Sequence, residues 1–343
     1  MRLLTIKYKL VCLAVACCAI FTACEQADLA TKSPMTFKNG QVRAIAAADA
    51  NARVFAYRVT EGNATPEWLY GTAAKGANAQ LTNIDFTDKK ATFAVDGETK
   101  YWTNATYNFF SLYSKTLTAT GSSEPQFDAT TKTFTFPYTI ADVTNSNNEL
   151  WAASKLNEVH EASESTPVKF EFNHILSKIN FKIKKHTANT NNKIVVTKVT
   201  ISDVYTSGVY NLAVESSSAT WTFADNTTKP IIEFNNLTRD IEIAGTPILT
   251  NDLNGFLVIP QIVGANKKEI VIDYSYYQAK SDDTPEYTKQ VKAFLPISSV
   301  TNWEVGKNYV YNLILSADVN DIYFTTPTIS DWGTSSVGSI IIQ

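Results

Sequence analysis

Few side chains in this sequence could make or break a covalent bond. Histidine occurs three times, at His160, His174 and His186, and none stands beside a second ligand at metal-binding spacing. His174 falls in a strand-like segment, where a structural role outweighs a catalytic one. There is no Gly-x-Ser-x-Gly elbow and no phosphate-binding glycine loop. Asp282 and Asp283 offer two carboxylates for calcium or acid–base work. Their setting, Ser281-Asp282-Asp283-Thr284-Pro285, reads instead as a hairpin turn. Carboxylates that meet only in the fold leave a glycosidase open in principle, but nothing in the pattern favours one. Trp68, Tyr70, Tyr101 and Trp102 could stack on a sugar, although aromatics in strand-rich chains are more often cross-strand or core pairs. No cofactor motif is present, and the chain does not read as an enzyme.

The cysteines point to a different covalent chemistry. Cys12, Cys17 and Cys18 lie in the apolar run from Leu10 to Phe21, behind a basic start of Arg2, Lys7 and Lys9. A basic head, an apolar stretch and the small residues Thr22-Ala23 make a secretory signal, residues 1–23. The run is shorter than the roughly 20 residues needed to cross a bilayer. Cys24 follows at once, and the 319 residues after it contain no cysteine. Cys24 therefore has no internal disulfide partner. Thr-Ala-Cys resembles a bacterial lipobox, with Phe21 where leucine is usual, so lipidation of Cys24 and an outer-membrane location are expected. The alternative is an ordinary signal cut elsewhere.

Without the signal, 27 Lys and Arg face 33 Asp and Glu, a net charge of −6. No basic block stands out, so nucleic acid is not an expected partner. The elements that must carry any site are strands. Ile270, Ile272, Tyr274 and Tyr276 alternate in 269–277, and Tyr309, Tyr311, Leu313 and Leu315 alternate in 308–315, the period of half-buried antiparallel strands. Phe170 and Phe172, then Ile179, Phe181 and Ile183, alternate likewise, with a kink or turn expected over 173–177. Further strands are expected at 53–59, 91–95, 107–113, 132–140 and 149–153, separated by Gly, Asn, Asp, Ser and Thr clusters. Residues 24–34 are polar and read as a tether. Alanine-rich 44–52 reads as a loop or single turn. The best boundary is the polar run 158–166. The expected architecture is all-β: two tandem sandwiches, mostly antiparallel, over 35–165 and 166–343.

Five segments together resemble the fimbrillin family, the pilins of type V pili. They are the export segment ending at Cys24; Met35-Thr36-Phe37 with Val42-Arg43-Ala44; 170–179 (Phe-Glu-Phe-Asn-His-Ile-Leu-Ser-Lys-Ile); 303–311 (Trp-Glu-Val-Gly-Lys-Asn-Tyr-Val-Tyr); and 328–333 (Thr-Ile-Ser-Asp-Trp-Gly). None is specific alone; their order and spacing carry the likeness. The resemblance implies two transthyretin-like sandwiches and a lipoprotein precursor. It also implies an arginine-specific protease cutting after the first strand, and assembly with other pilin subunits by donation of a C-terminal strand. On this sequence the cut falls between Arg43 and Ala44, and the donor is Ile340-Ile341-Ile342. Only five arginines are present. Arg53 and Arg58 fall in or beside a strand, where cleavage is poorer, whereas Arg43 precedes a small-residue loop. The plain alternatives are a surface Arg43 and a tail tucked into its own domain. A non-polymerising, glycan-binding surface lipoprotein is the competing function.

Overall fold

The computed structural model describes residues 36–41, 52–60, 67–68, 81–82, 91–92, 94–95, 98–99, 101–115, 126–128, 130–161, 168–213, 218–224, 229–264 and 267–332. These residues form an all-β molecule built on two hydrophobic cores.

The first core lies between two sheets. One runs in the order Asn173–His174, Trp151–His160, Ala105–Tyr113, Ala52–Thr60, Glu67–Trp68. The other runs Ser218–Thr222, Ser207–Ala213, Thr133–Thr139, Gln126–Asp128. Phe55 and Phe110 meet Phe134 across the gap at 5.7 and 4.5 Å between ring centroids, and Tyr57 meets Phe127 at 3.9 Å. In Ala105–Tyr113 every residue but Thr106 is buried. Successive side chains of a strand point to opposite faces, so this strand is covered on both. Its second face carries Tyr107 and Phe109, with Trp102 set edge-on against both rings. Pro137 sits inside Thr133–Thr139. Among the described residues no strand pairs with it on the side of Gln126–Asp128, whose ladder covers only residues 133–135, so its missing N–H leaves no described ladder partner unmet there. A cavity of about 330 Å³ opens between the sheets, lined by Phe110, Leu112, Phe134, Ala152, Tyr210 and Leu212 among others.

The second core is a sandwich of Ser177–Lys185 and Lys307–Leu315 against Lys193–Ile201 and Glu269–Tyr277. The alternation read from sequence sets its inner faces. Ile179, Phe181 and Ile183 are fully buried, as are Ile270, Ile272 and Tyr274, and Tyr309, Tyr311, Leu313 and Leu315, to within 2%. Each such side chain contributes roughly 1.5–3 kcal/mol on burial. Gly255 lets Phe256–Val258 approach its neighbour, since a Cβ there would stand 2.6 Å from the Ile179 carbonyl oxygen.

Three expectations change. Residues 91–95 form two short strands, Ala91–Thr92 and Ala94–Val95, with different partners. The strand expected at 149–153 is Trp151–His160, which continues through an irregularity between Lys155 and Glu158 where Asn157 takes φ +58°. It therefore runs into the polar segment read as a boundary. Elements also cross residues 165/166. Ser207–Ala213 pairs along its full length with Thr133–Thr139, and Tyr210, Leu212, Leu253, Leu257 and Ile259 join the first core.

Candidate functional site

Two strands matter for the resemblance, one at each end of the described chain. The leading strand, Thr36–Gln41, is the middle member of a three-stranded sheet. It pairs antiparallel with Ala91–Thr92 and parallel with a linking strand, Val168–Glu171, in the register Phe37↔Val168, Lys38↔Lys169, Asn39↔Phe170 and Gln41↔Glu171. Arg43 and Ala44 follow two and three residues after it. They lie outside the described residues, as do Cys24, Ile340, Ile341, Ile342 and the alanine-rich stretch up to Asn51. Arg53 and Arg58 both lie within Ala52–Thr60, and Arg58 donates to Thr103 Oγ1 at 3.1 Å.

The linking strand buries Val168 and Phe170, and Phe172 follows buried. The expected kink comes next. Asn173–His174 pairs with Trp151 and Ala152, and a bend leads into Ser177–Lys185. The His174 ring lies between two indoles. Trp151 is 3.4 Å away by centroids, tilted by 33°, and Trp332 is 3.7 Å away and nearly parallel at 6°. Lys178 places its ammonium 5.5 Å from the Trp332 ring, a cation–π distance. Glu149 Oε2 stands 3.9 Å from His174 Nδ1, too far for a hydrogen bond. Burial, with the Lys178 charge adding, holds the His174 pKa down to about 2. Burial lifts Glu149 to about 7 against the pull of Lys178. His174 is thus a neutral ring covered on both faces, suited to gripping and not to moving protons.

Backbone bonds complete the junction. Gly306 N–H donates to the Leu176 carbonyl at 3.0 Å, Trp332 N–H to the Gly306 carbonyl at 2.7 Å, and Ser177 Oγ–H to the Glu304 carbonyl at 2.7 Å. Gly306 adopts φ +68°, and a Cβ there would meet the His174 carbonyl oxygen at 3.1 Å, so any other residue is strained there. Three segments that carry the resemblance, 170–179, 303–311 and 328–332, therefore converge on one point between the two cores.

Trp332 follows a trailing strand, Thr328–Asp331, which pairs antiparallel with Lys307–Val310. All four of its residues are exposed, Ile329 included at 48%. Its side-chain ties include the exposed pair Lys307–Asp331 at 2.5 Å and a long Asn308–Ser330 contact at 3.4 Å.

The remaining candidates resolve into structure. Trp102 is fully buried and stacks on His160 at 3.8 Å, which removes it from any sugar platform. Tyr101 is half-buried, Trp68 sits in a two-residue strand against Tyr57, and Tyr70 lies outside the described residues. His186 caps a short turn, its Nδ1 accepting from the Ala188 N–H at 3.1 Å. Asp282 sits in the turn of the hairpin between Glu269–Tyr277 and Tyr287–Phe294, its carboxylate accepting from the Ala279 N–H at 2.8 Å. Among the described residues no three His, Cys, Asp or Glu side chains are grouped to hold a metal.

No curated protein sequence matches the chain. Among solved structures it is similar to a fimbrial protein from Bacteroides vulgatus, with a TM-score of 0.57 and 17% identity over 83% of this chain and 94% of that one. It is also similar to the tip fimbrial protein Mfa3 from Porphyromonas gingivalis with C-terminal truncation, at a TM-score of 0.40 and 11% identity over 87% and 98%. The fimbrillin-like family profile matches residues 34–332, which contain every described residue, and the chain belongs to that family.

Proposed function

We propose that this protein is a structural subunit, stalk or tip, of a surface fimbria, built from two transthyretin-like sandwiches and exported as a lipoprotein. Cleavage before Cys24 and lipid on that residue hold the precursor on the outer membrane. An arginine-specific protease then cuts between Arg43 and Ala44. The leading strand leaves, and a C-terminal strand containing Ile340, Ile341 and Ile342 of a neighbouring subunit fills the groove opened between its two former neighbours by strand addition. Burial of three isoleucines at roughly 1.5–3 kcal/mol each would make that joint durable. The family supports a fimbrial or adhesive role.

The observation that carries the mechanism is the position of the leading strand. It is a single strand between two neighbours and it ends two residues before Arg43. A cut there detaches one strand and leaves the rest of the sheet's chain intact. Burial of Trp102 weakens the competing glycan-platform reading.

The test compares the wild-type chain in its native cell with Arg43→Ala and with deletion of residues 338–343. Wild-type protein should begin at Ala44 and form high-mass ladders. Arg43→Ala should begin at lipidated Cys24 and stay monomeric. The deletion should be cut normally yet form no ladder. Ladders from either variant sink the proposal.

A further inference from the structure

The cavity in the first core is walled mainly by apolar side chains, among them Phe110 and Phe134, whose rings stack at 4.5 Å and 5°. Two of its lining residues carry polar ends that the fold leaves unused. Tyr210 is only 5% exposed, yet its hydroxyl makes no hydrogen bond among the described residues and is not fully enclosed. The surface it keeps opens on the cavity that the residue lines. Burial pushes the phenol up to about 12, so it stays protonated and can donate. Lys155 lines the cavity from the facing sheet and forms no ion pair among the described residues. Glu171 lines it too, but is engaged elsewhere. A buried donor without an acceptor is a cost to folding. An apolar cavity with a few convergent polar groups is the usual form of a small-molecule site.

The volume narrows the ligand. A cavity of about 150 Å³ holds one benzene ring, so about 330 Å³ takes a body of two fused rings. Packed sheets stand about 10 Å apart, close to the long axis of such a body, and one molecule can reach a donor on each wall. We propose that this cavity binds a small hydroxylated aromatic monocarboxylate: its rings lie against Phe110 and Phe134, its carboxylate pairs with the Lys155 ammonium, and its hydroxyl oxygen accepts from the Tyr210 hydroxyl. Rings are preferred to an aliphatic chain because ring pairs gain beyond the area they bury. The unpaired ammonium on one wall and the phenol on the other fix the orientation. No residue of the leading or trailing strand lines the cavity, so the site is separate from the joint between subunits and does not rest on it.

Calorimetric titration of the purified chain with 6-hydroxy-2-naphthoate tests this. Saturable binding below about 1 mM is expected. Tyr210→Phe should weaken this probe about tenfold and leave 2-naphthoate, which lacks the hydroxyl, bound as in wild type. Lys155→Met should weaken both carboxylates about tenfold or more and abolish the preference of wild type for the probe over its uncharged amide. The two variants act on different ends of the ligand, so each serves as the folding control for the other. Decanoate should bind more weakly than 2-naphthoate; tighter binding overturns the aromatic class. No saturation below about 1 mM, or wild-type affinity for the probe in both variants, overturns the site. Displacement of the probe by a peptide of residues 334–343 overturns it as well, since the cavity would then belong to the strand joint. Failure of the Arg43 cut in cells leaves all of these outcomes standing.

Discussion

The two cores solve the same problem with different tolerances. In the second, the Trp303 indole N–H donates to Tyr311 Oη at 2.9 Å, Tyr309 Oη accepts from the Glu304 N–H at 2.8 Å, and Tyr274 donates to the Val319 carbonyl. In the first, the buried Trp102 N–H and Ser111 hydroxyl find no partner among the described residues, and the 330 Å³ cavity lies between the sheets. A buried polar group without a partner costs about 1–3 kcal/mol. An opening between sheets forfeits dispersion contacts on one side of each lining residue. The first core also holds the linking strand and faces the sheet of the leading strand. The core with the cavity is the one beside the sheet proposed to be remodelled, and the core whose buried Trp303, Tyr309 and Tyr274 are hydrogen-bonded is the platform that stays.

Truncation should expose this contrast most strongly. Phe181→Ala, in the filled second core, should cost about 3–5 kcal/mol by urea denaturation. Phe134→Ala, on the cavity wall, should fall at or below the low end of that range. Equal losses would break the comparison. A finer cut comes from the indoles. Trp303→Phe strands the Tyr311 hydroxyl and should cost about 1–3 kcal/mol more than Trp102→Phe, which discards a donor with no acceptor among the described residues.

The smallest effect concerns pH. His174 moves from an ordinary 6.5 down to about 2 in the fold, so its contribution is full above about pH 6.5 and drains away on acidification. Glu149 moves from 4.5 up to about 7; its contribution is full below about pH 4.5 and is lost as pH rises through 7. The two nearly cancel between 4.5 and 6.5, where each contributes about one proton with opposite sign, so removing His174 leaves the Glu149 gain on acidification unopposed. Lowering the pH across that window should therefore raise the melting temperature of His174→Phe relative to that of wild type. An identical pH profile for the two proteins would show that His174 is not held neutral by burial.

The sequence foretold what depends on local periodicity. The strands 269–277 and 308–315 were readable because one face is buried and the other wet, so alternation survives in the residue types. Ala105–Tyr113 hides its period because both faces are covered, and Asn-Phe-Phe-Ser-Leu-Tyr records burial without direction. Trp151–His160 reads as a shorter strand because Asn157 bulges it and its outer half is polar. The crossing of Ser207–Ala213 into the first core is set by pairing with distant Thr133–Thr139, for which no local signal exists. His174 was legible as a structural residue. Its grip on Trp332 was not, since the two are joined only by the fold, although each lies in a segment that carries the resemblance.

The parallel pairing of Ser177–Lys185 with Lys307–Leu315 has a further consequence, in time instead of space. A chain that emerges N-terminus first cannot close its second core until Leu315 is out, because half of one sheet is missing. The first core waits as well, for the hairpin at 207–222 and for Trp332. Pairings this remote are slow to form. Nearly the whole polypeptide must therefore be present before either core can close, and folding becomes a late event in the making of the chain.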